Sequence, residues 1–378
     1  MEYIQYNWLY SLVGIIIYVV MLLTSRVSVT LKYPQYNNTT KGIYFFFFLY
    51  IFNSVYGLWE WDTYHIWDDF IKAGQYYYFK IDGYEAIYNW LASITGNNYF
   101  LWRFIIWTPA CILVYYSAKK LLILNRNFLV SLAIFGGFWA FTRGMLGHTM
   151  LIYGLVILFC DRGSFNNKLW GCIIIFASYF FHKSMYVNLL FALIALVPFN
   201  KNTIKLSIPL FPLAIAIASL TVGFILSGDI DASYGEAVGG VGDKTLRYLE
   251  REKTESNTNG YISQIITLAP IYFTAFYLYN RIYIKRYFDG IRNERIYKYL
   301  FRLYYVALYI SSTYLFLDTS EWIPQRFRYM ALFPMVFVLG KVWTMEPNTN
   351  KYIKVIILLQ LLSILLKYSL QLKSWYAL

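Results

Sequence analysis

Residues 139–185 decide how this chain folds and read WAFTRGMLGHTMLIYGLVILFCDRGSFNNKLWGCIIIFASYFFHKSM. Two apolar runs in this stretch, Met145 to Cys160 and Leu169 to Phe181, are shorter than the about 20 residues that a membrane span needs. Arg143 precedes the first run and His182 follows the second. Ionisable groups at membrane depth are costly and usually serve function. We therefore predict that these two breaks form the floor of a polar cavity within a membrane.

The composition indicates an integral membrane protein. The 378 residues are 59% hydrophobic and 14% charged, and the mean hydropathy is +0.45. A soluble domain of this composition could not cover its apolar surface. The net charge of +13 falls mostly in loops that we place inside, so the positive-inside rule explains it better than a nucleic-acid partner does. Cys111, Cys160 and Cys172 lie within apolar runs, which predicts neither a disulfide nor a metal cluster.

The pattern predicts an all-α, polytopic fold of about twelve transmembrane or half-spanning helices, built as a single integral membrane domain over residues 1–378. The acidic stretch 60–98 and the glycine-containing stretch 227–260 are predicted as outward loops, and the basic stretch Arg281 to Arg302 as an inside loop. Both termini are then outside. The later predicted segments are Phe100 to Ala118, Phe128 to Phe141, Met145 to Cys160, Leu169 to Phe181, Met185 to Phe199, Leu206 to Leu226, Tyr261 to Asn280, Leu303 to Leu317, Tyr329 to Val342 and Tyr352 to Leu370.

Cations at three separated breaks are the strongest functional signal. They are Arg143, His182 with Lys183, and Arg326 with Arg328. The positive-inside rule disfavours cations on the outer side, so their presence there predicts an anionic ligand such as a phosphate. The alternative is that Arg326 and Arg328 extend to the membrane interface without binding anything.

His182 and two acidic residues are candidates for proton transfer. Histidine can contact phosphate or accept a proton from a hydroxyl near neutral pH, although a packed structural histidine is an equal alternative. Asp62 and Glu85 in the first acidic loop could deprotonate or hydrogen-bond a sugar hydroxyl, or could be ordinary solvated acids. The sequence contains no P-loop, zinc-protease or serine-hydrolase motif.

Five short motifs in this order resemble those of the EpsG-type exopolysaccharide polymerases, which are relatives of the Wzy O-antigen polymerases. They are Asp-x-Tyr at Asp62 and Tyr64, Gly-Tyr-Glu at Gly83, Tyr84 and Glu85, Arg143 after a short span, Phe-His-Lys-Ser at Phe181 to Ser184, and Arg-Phe-Arg-Tyr at Arg326 to Tyr329. The motifs extend over residues 60 to 335, and their specificity comes from the ordered set.

The resemblance implies a GT-C-like enzyme of the bacterial inner membrane that transfers a growing glycan from undecaprenyl pyrophosphate onto a new lipid-linked repeat unit. It implies neither metal nor cofactor, and a chain-length regulator is left open as a partner. Arg143, Arg326 and Arg328, supported by Lys183, are then expected to bind the pyrophosphate. His182, Asp62 and Glu85 are expected to be catalytic, and Tyr64 and Tyr84 to bind sugar.

Other functions fit parts of the pattern. An O-antigen ligase or another GT-C transferase would use the same substrates, but a ligase usually carries its histidine in a much larger outer loop. A lipid-linked oligosaccharide flippase or other transporter would need a cationic cavity open to both leaflets and usually shows repeat symmetry, which we do not find. A membrane acyltransferase would be expected to carry its histidine near the first span.

Overall fold

The structure is a computed structural model. It describes residues 70, 86–96, 98–124, 127–128, 131–132, 135, 144–160, 165–182, 185–200, 202–203, 207, 258–315, 322–346 and 351–376. Regular structure in these residues is helical, without a strand, in agreement with the predicted all-α class. The helices are α1 Ala86–Ile94, α2 Tyr99–Lys120, α3 Met145–Cys160, α4 Phe165–Phe181, α5 Met185–Ile194, α6 Thr258–Tyr279, α7 Glu294–Leu315, α8 Trp322–Met345 and α9 Lys351–Tyr376.

One helix in the described part of the chain is long and apolar enough to cross a membrane. It comprises Leu101–Lys120 of α2. Asn98 caps its start by accepting a hydrogen bond from the backbone N–H of Leu101 at 3.0 Å, and Lys119 and Lys120 in its last turn complement the helix dipole. Shorter apolar helical stretches are Met145–Cys160, Met185–Ile194 and Met330–Met345.

Helices α3 and α4 run antiparallel with their backbones in close contact. A Cβ atom added to Gly154 would lie 2.8 Å from the carbonyl oxygen of Gly171 and 2.6 Å from Cγ1 of Ile175. Nearer the other end of the pair, a Cβ on Gly147 would lie 3.1 Å from the carbonyl oxygen of Ser178. Small residues at such positions are typical of helix pairs in membranes, where close approach increases van der Waals contact.

One face of α4 leaves large apolar side chains exposed. Phe176 is 66% exposed and lies within a stripe at helical spacing that comprises Phe165, Leu169, Ile173, Phe176 and Phe180. Helix α9 also carries exposed apolar side chains, at Tyr352, Val355, Leu358 and Leu362. Contiguous apolar surfaces of this kind are suited to contact with lipid.

The chain divides into two compact units. Unit 1 comprises residues 1–186, 289–297 and 336–378, and unit 2 comprises residues 187–288 and 298–335. In unit 1, Tyr297 donates its hydroxyl hydrogen to the carbonyl oxygen of Leu121 at 2.6 Å, and Asn293 donates to that of Lys120 at 3.1 Å. The start of α7 is thereby fixed to the end of α2.

Tyrosines of α7 make the corresponding cross-links within unit 2. Tyr299 donates to the carbonyl oxygen of Ala192 at 2.7 Å, and Tyr309 donates to that of Ser207 at 2.9 Å. Tyr299 is buried and finds a backbone acceptor for its hydroxyl, as buried tyrosines require, whereas Tyr309 is half-buried.

Two predicted boundaries in the later part of the chain are wrong. The basic stretch Arg281 to Arg302 is not one loop, because a π-helix spans Asn280–Ile284 and α7 already begins at Glu294. The break predicted around Arg326 is instead helical from Trp322. Proline is accepted in the first turn of a helix, so Pro324 does not prevent this earlier start.

A third boundary differs in a simpler way. The segment predicted from Met185 to Phe199 ends its α-helix at Ile194 and continues as turns. By contrast, α3 has the predicted bounds Met145–Cys160. The predicted segments before residue 70 and between 208 and 257, including most of the outward loop 227–260, lie outside the described residues.

Candidate functional site

His182 lies at the predicted break between two helices. Helix α4 ends at Phe181 and α5 begins at Met185. The backbone N–H of His182 donates to the carbonyl oxygen of Tyr179 at 3.2 Å, and the His182 carbonyl accepts from Met185 N–H at 3.0 Å. Both backbone polar groups of His182 are therefore hydrogen-bonded, and its side chain is half-buried.

Gly144, the residue that precedes α3, lies against the ring of His182. A Cβ atom added to Gly144 would lie 3.4 Å from both Cγ and Cδ2 of His182, and 3.5 Å from Cδ2 of His148. The backbone N–H of His148 donates to the carbonyl oxygen of Gly144 at 2.9 Å, and the His148 side chain is buried. Two histidine rings therefore flank one glycine, immediately after Arg143 in the sequence.

Helix α1 brings a third part of the sequence to the same place. Its Tyr88 ring lies 6.3 Å from the ring of Phe181 and 5.8 Å from that of Trp102, centre to centre. The indole N–H of Trp102 donates to the Tyr88 carbonyl oxygen at 3.1 Å. Because α1 begins at Ala86, the Gly-Tyr-Glu motif directly precedes this helix in the sequence. We call this end of unit 1, marked by Tyr88, Trp102, Gly144 and His182, the histidine end.

The histidine end and the opposite end of unit 1 are separated by the lengths of α2 and α3. Tyr297 binds the carbonyl oxygen of Leu121 at the end of α2, and the Cys160 side chain at the end of α3 lies within electrostatic range of its hydroxyl. At the other end, the start of α2 is linked to Phe181 through Tyr88, and the residue before α3 lies against His182, so the two helices run in the same direction. With about 1.5 Å per residue, α2 is about 33 Å long and α3 about 24 Å.

The difference in length between the two helices is about 9 Å. If the two helices end at the same level, α3 begins about 9 Å lower than Tyr99 does. A hydrocarbon core is about 30 Å thick, so α2 can cross it and α3 cannot. The floor recessed beneath one membrane surface stays a prediction, because Arg143 and Lys183 lie outside the described residues.

Arg103 also lies towards the histidine end, and sequence reasoning missed it. Its side chain is only 5% exposed, and it occupies the second turn of α2. The available signal was a lone charge in the apolar run that continues to Lys119. When hydropathy is averaged over an otherwise apolar segment, a single arginine changes the average only slightly.

Six of the predicted site residues fall in parts of the chain that the structure does not describe. Outside the described residues lie Asp62, Tyr64, Tyr84, Glu85, Arg143 and Lys183. The backbone of Arg326 and Arg328 belongs to the first two turns of α8 in unit 2. In the part of the chain that the structure describes, no group of three or more His, Cys, Asp or Glu residues is arranged to hold a metal ion.

Comparisons with known proteins give one result. Searches of curated proteins and of solved structures returned no match. The model of the EpsG family matches the chain continuously from the first predicted outward loop into α9. This range includes each of the five ordered motifs. On this match over residues 60–376, the chain belongs to the EpsG family.

Proposed function

We propose that this protein is a polysaccharide polymerase that joins lipid-linked repeat units at the outer face of the bacterial inner membrane. The donor is a growing glycan on undecaprenyl pyrophosphate, and the acceptor is a repeat unit on a second such lipid. The observation that carries the proposal is the meeting of distant motifs at the histidine end, where Gly144 lies against His182 and Tyr88 against Phe181. These contacts bring together the chain segments next to Glu85, Arg143 and Lys183.

The chemistry explains why cations would be gathered there. An acceptor hydroxyl oxygen attacks the anomeric carbon of the donor glycan, and the bond from that carbon to the pyrophosphate oxygen breaks. The leaving pyrophosphate gains negative charge. Fixed guanidinium groups in a recess stabilise this charge more strongly than they would in bulk water. We assign this role to Arg143, with Lys183 in support, and from the sequence motif to Arg326 and Arg328.

The remaining groups act on the acceptor side. The hydroxyl proton must leave as the new glycosidic bond forms, and His182, Asp62 or Glu85 would accept it. His182 could instead donate a hydrogen bond to the departing phosphate. Tyr64 and Tyr84 would present aromatic faces and hydroxyls to the sugars. No step in this scheme requires a metal or a nucleotide sugar.

The architecture that goes with this function is a GT-C-like, multi-pass membrane fold with both termini outside. Such an enzyme would be embedded in lipid, in keeping with the exposed apolar stripe on α4. A chain-length regulator is a further candidate partner. The sugars and the linkage would be selected by the outward loops.

Replacing Arg143 tests the proposal. In a reconstituted assay with purified lipid-linked repeat unit, the wild-type protein should give a ladder of products, whereas Arg143→Ala should leave single units. Removal of a charged hydrogen bond to the leaving group should lower the rate by roughly 100- to 1,000-fold. Arg295→Ala changes an exposed arginine at the opposite end of unit 1 and should keep the ladder. Normal polymer from Arg143→Ala at equal protein level would remove Arg143 from the site.

A further inference from the structure

Arg103 is a buried charge for which the proposed reaction has so far given no role. Its side chain is 5% exposed on the one long apolar helix in the described part of the chain. Burial of a guanidinium group is unfavourable unless the surroundings provide acceptors or an anion. An arginine that remains in such a place within a membrane helix indicates a function by default.

The side chain of Arg103 is on the packed face of α2. Trp107, Ala110 and Val114 follow it at helical spacing, and each is at most 4% exposed. The opposite face carries exposed apolar side chains at Leu101, Phe104, Ile112 and Tyr116. Arg103 is therefore directed into unit 1 and away from the surface suited to lipid.

The position of Arg103 along α2 places it at the histidine end. The indole N–H of Trp102, the residue before Arg103, donates to the carbonyl oxygen of Tyr88 at 3.1 Å. The Tyr88 ring in turn lies 6.3 Å from the ring of Phe181, the residue before His182. Arg103 and His182 therefore lie at the same end of unit 1.

We propose that Arg103 is a phosphate-binding residue of the same site and selects a lipid diphosphate over a monophosphate. This inference rests on the proposed function. Arginine presents a planar set of donors that can bind two phosphate oxygens at once, and it keeps its charge when buried. A second phosphate on the lipid would provide the additional oxygens, so Arg103 contributes to selectivity as well as to affinity.

Binding of two lipids to the purified full-length protein tests this assignment. The probes are undecaprenyl pyrophosphate and undecaprenyl monophosphate, measured by native mass spectrometry and by ligand-induced thermal stabilisation in detergent. Arg103→Gln should weaken diphosphate binding by about 10- to 100-fold, the usual effect of losing a hydrogen bond to a charged group, and should change monophosphate binding much less. Arg103→Lys keeps the charge without the planar fork and should give a smaller loss in the same direction.

A buried arginine in unit 2 provides the matched control. Arg281 is 7% exposed, and its guanidinium carbon lies 4.9 Å from the centre of the Tyr277 ring. Arg281→Gln should leave the ratio of the two affinities unchanged.

The outcomes separate this inference from the proposed function. If the wild-type protein does not prefer the diphosphate, the proposed function fails and the inference fails with it. If the wild-type protein prefers the diphosphate and Arg103→Gln keeps that ratio, only the role of Arg103 is overturned. Equal losses for both lipids would show a structural role, for instance in binding a protein carboxylate. If Arg103→Gln is not recovered in folded form, the ratio of diphosphate to monophosphate affinity is measured for Arg103→Lys instead. An unchanged ratio in that variant overturns the role of Arg103.

Discussion

At the scale of single residues, Gly144 lies close to His182, so the size of a side chain at this position affects where the imidazole can lie. A methyl group at this position would make ordinary van der Waals contacts, since its carbon would lie 3.4 Å from two ring atoms of His182. A branched side chain would extend further and displace the imidazole. Catalytic geometry is sensitive to such displacements, and a shift of about 1 Å can lower a rate by about 100-fold.

Two substitutions at Gly144 should therefore differ sharply. We expect Gly144→Ala to keep most of the polymerase activity and Gly144→Val to lose it by roughly 10- to 100-fold, at similar amounts of folded protein. The measurement is the initial rate of ladder formation, normalised to the protein recovered in detergent. Similar rates for the two variants would mean that the His182 ring position does not matter for the reaction.

The sequence predicted the break at His182 because a histidine, a lysine and a serine interrupt two apolar runs. It did not predict the contact with Gly144, because a glycine has no side chain whose polarity or spacing could indicate which residue it packs against. Arg103 was missed for another reason. One charge among apolar residues does not interrupt a predicted span, and only its burial in the fold reveals it.

At the scale of elements, glycines allow α3 and α4 to pack backbone against backbone. At Gly154, any side chain would meet the carbonyl oxygen of Gly171 at 2.8 Å, which is shorter than real Cβ contacts. The helices would have to separate to admit it. Separation would cost packing along the whole pair, since protein interiors are close-packed and relax only partly.

We expect Gly154→Val to destabilise the protein by about 1–3 kcal/mol, the usual cost of forcing extra atoms into a packed interior. The measurement is the fraction of protein that remains folded in detergent after heating or during titration with SDS. Ile173→Val is the control, because this side chain is 44% exposed on α4. Equal stability of the two variants would contradict the close contact between the backbones.

Helix bounds were predictable where polar residues end an apolar run. Met145–Cys160 was predicted with its observed bounds, because Arg143 and Asp161 flank it. The start of α7 was missed because Arg295, Lys298 and Arg302 alternate with buried aromatic residues. An amphipathic helix carries charge on one side, whereas the prediction averaged charge over the stretch and assigned a loop.

At the scale of the whole molecule, the two ends of unit 1 predict how it is oriented in a membrane. The turn between α1 and α2 belongs to the histidine end, and the turn before α7 belongs to the opposite end through the bond from Asn293 to Lys120. The reaction that we propose requires the histidine end to face outward, because the lipid-linked units are joined there. The positive-inside rule likewise predicts that the basic turn before α7 faces the cytoplasm.

Cysteine labelling tests this orientation in intact cells. A membrane-impermeant thiol reagent should label Ser93→Cys in the exposed last turn of α1. It should label Asp289→Cys only after the cells are permeabilised, since Asp289 is exposed in the turn before α7. The parent protein, with Cys111, Cys160 and Cys172, gives the background. The reverse pattern would place the histidine end in the cytoplasm and exclude an extracytoplasmic polymerase.

The glycine contact between α3 and α4 also has a mechanical consequence. If one helix slipped lengthwise by a single residue, a side chain would be driven into the neighbouring backbone at Gly154 or Gly171. Lengthwise sliding of α3 along α4 is therefore sterically unfavourable. We therefore expect α3 and α4 to move together in any motion that admits substrate to the proposed site or releases product from it.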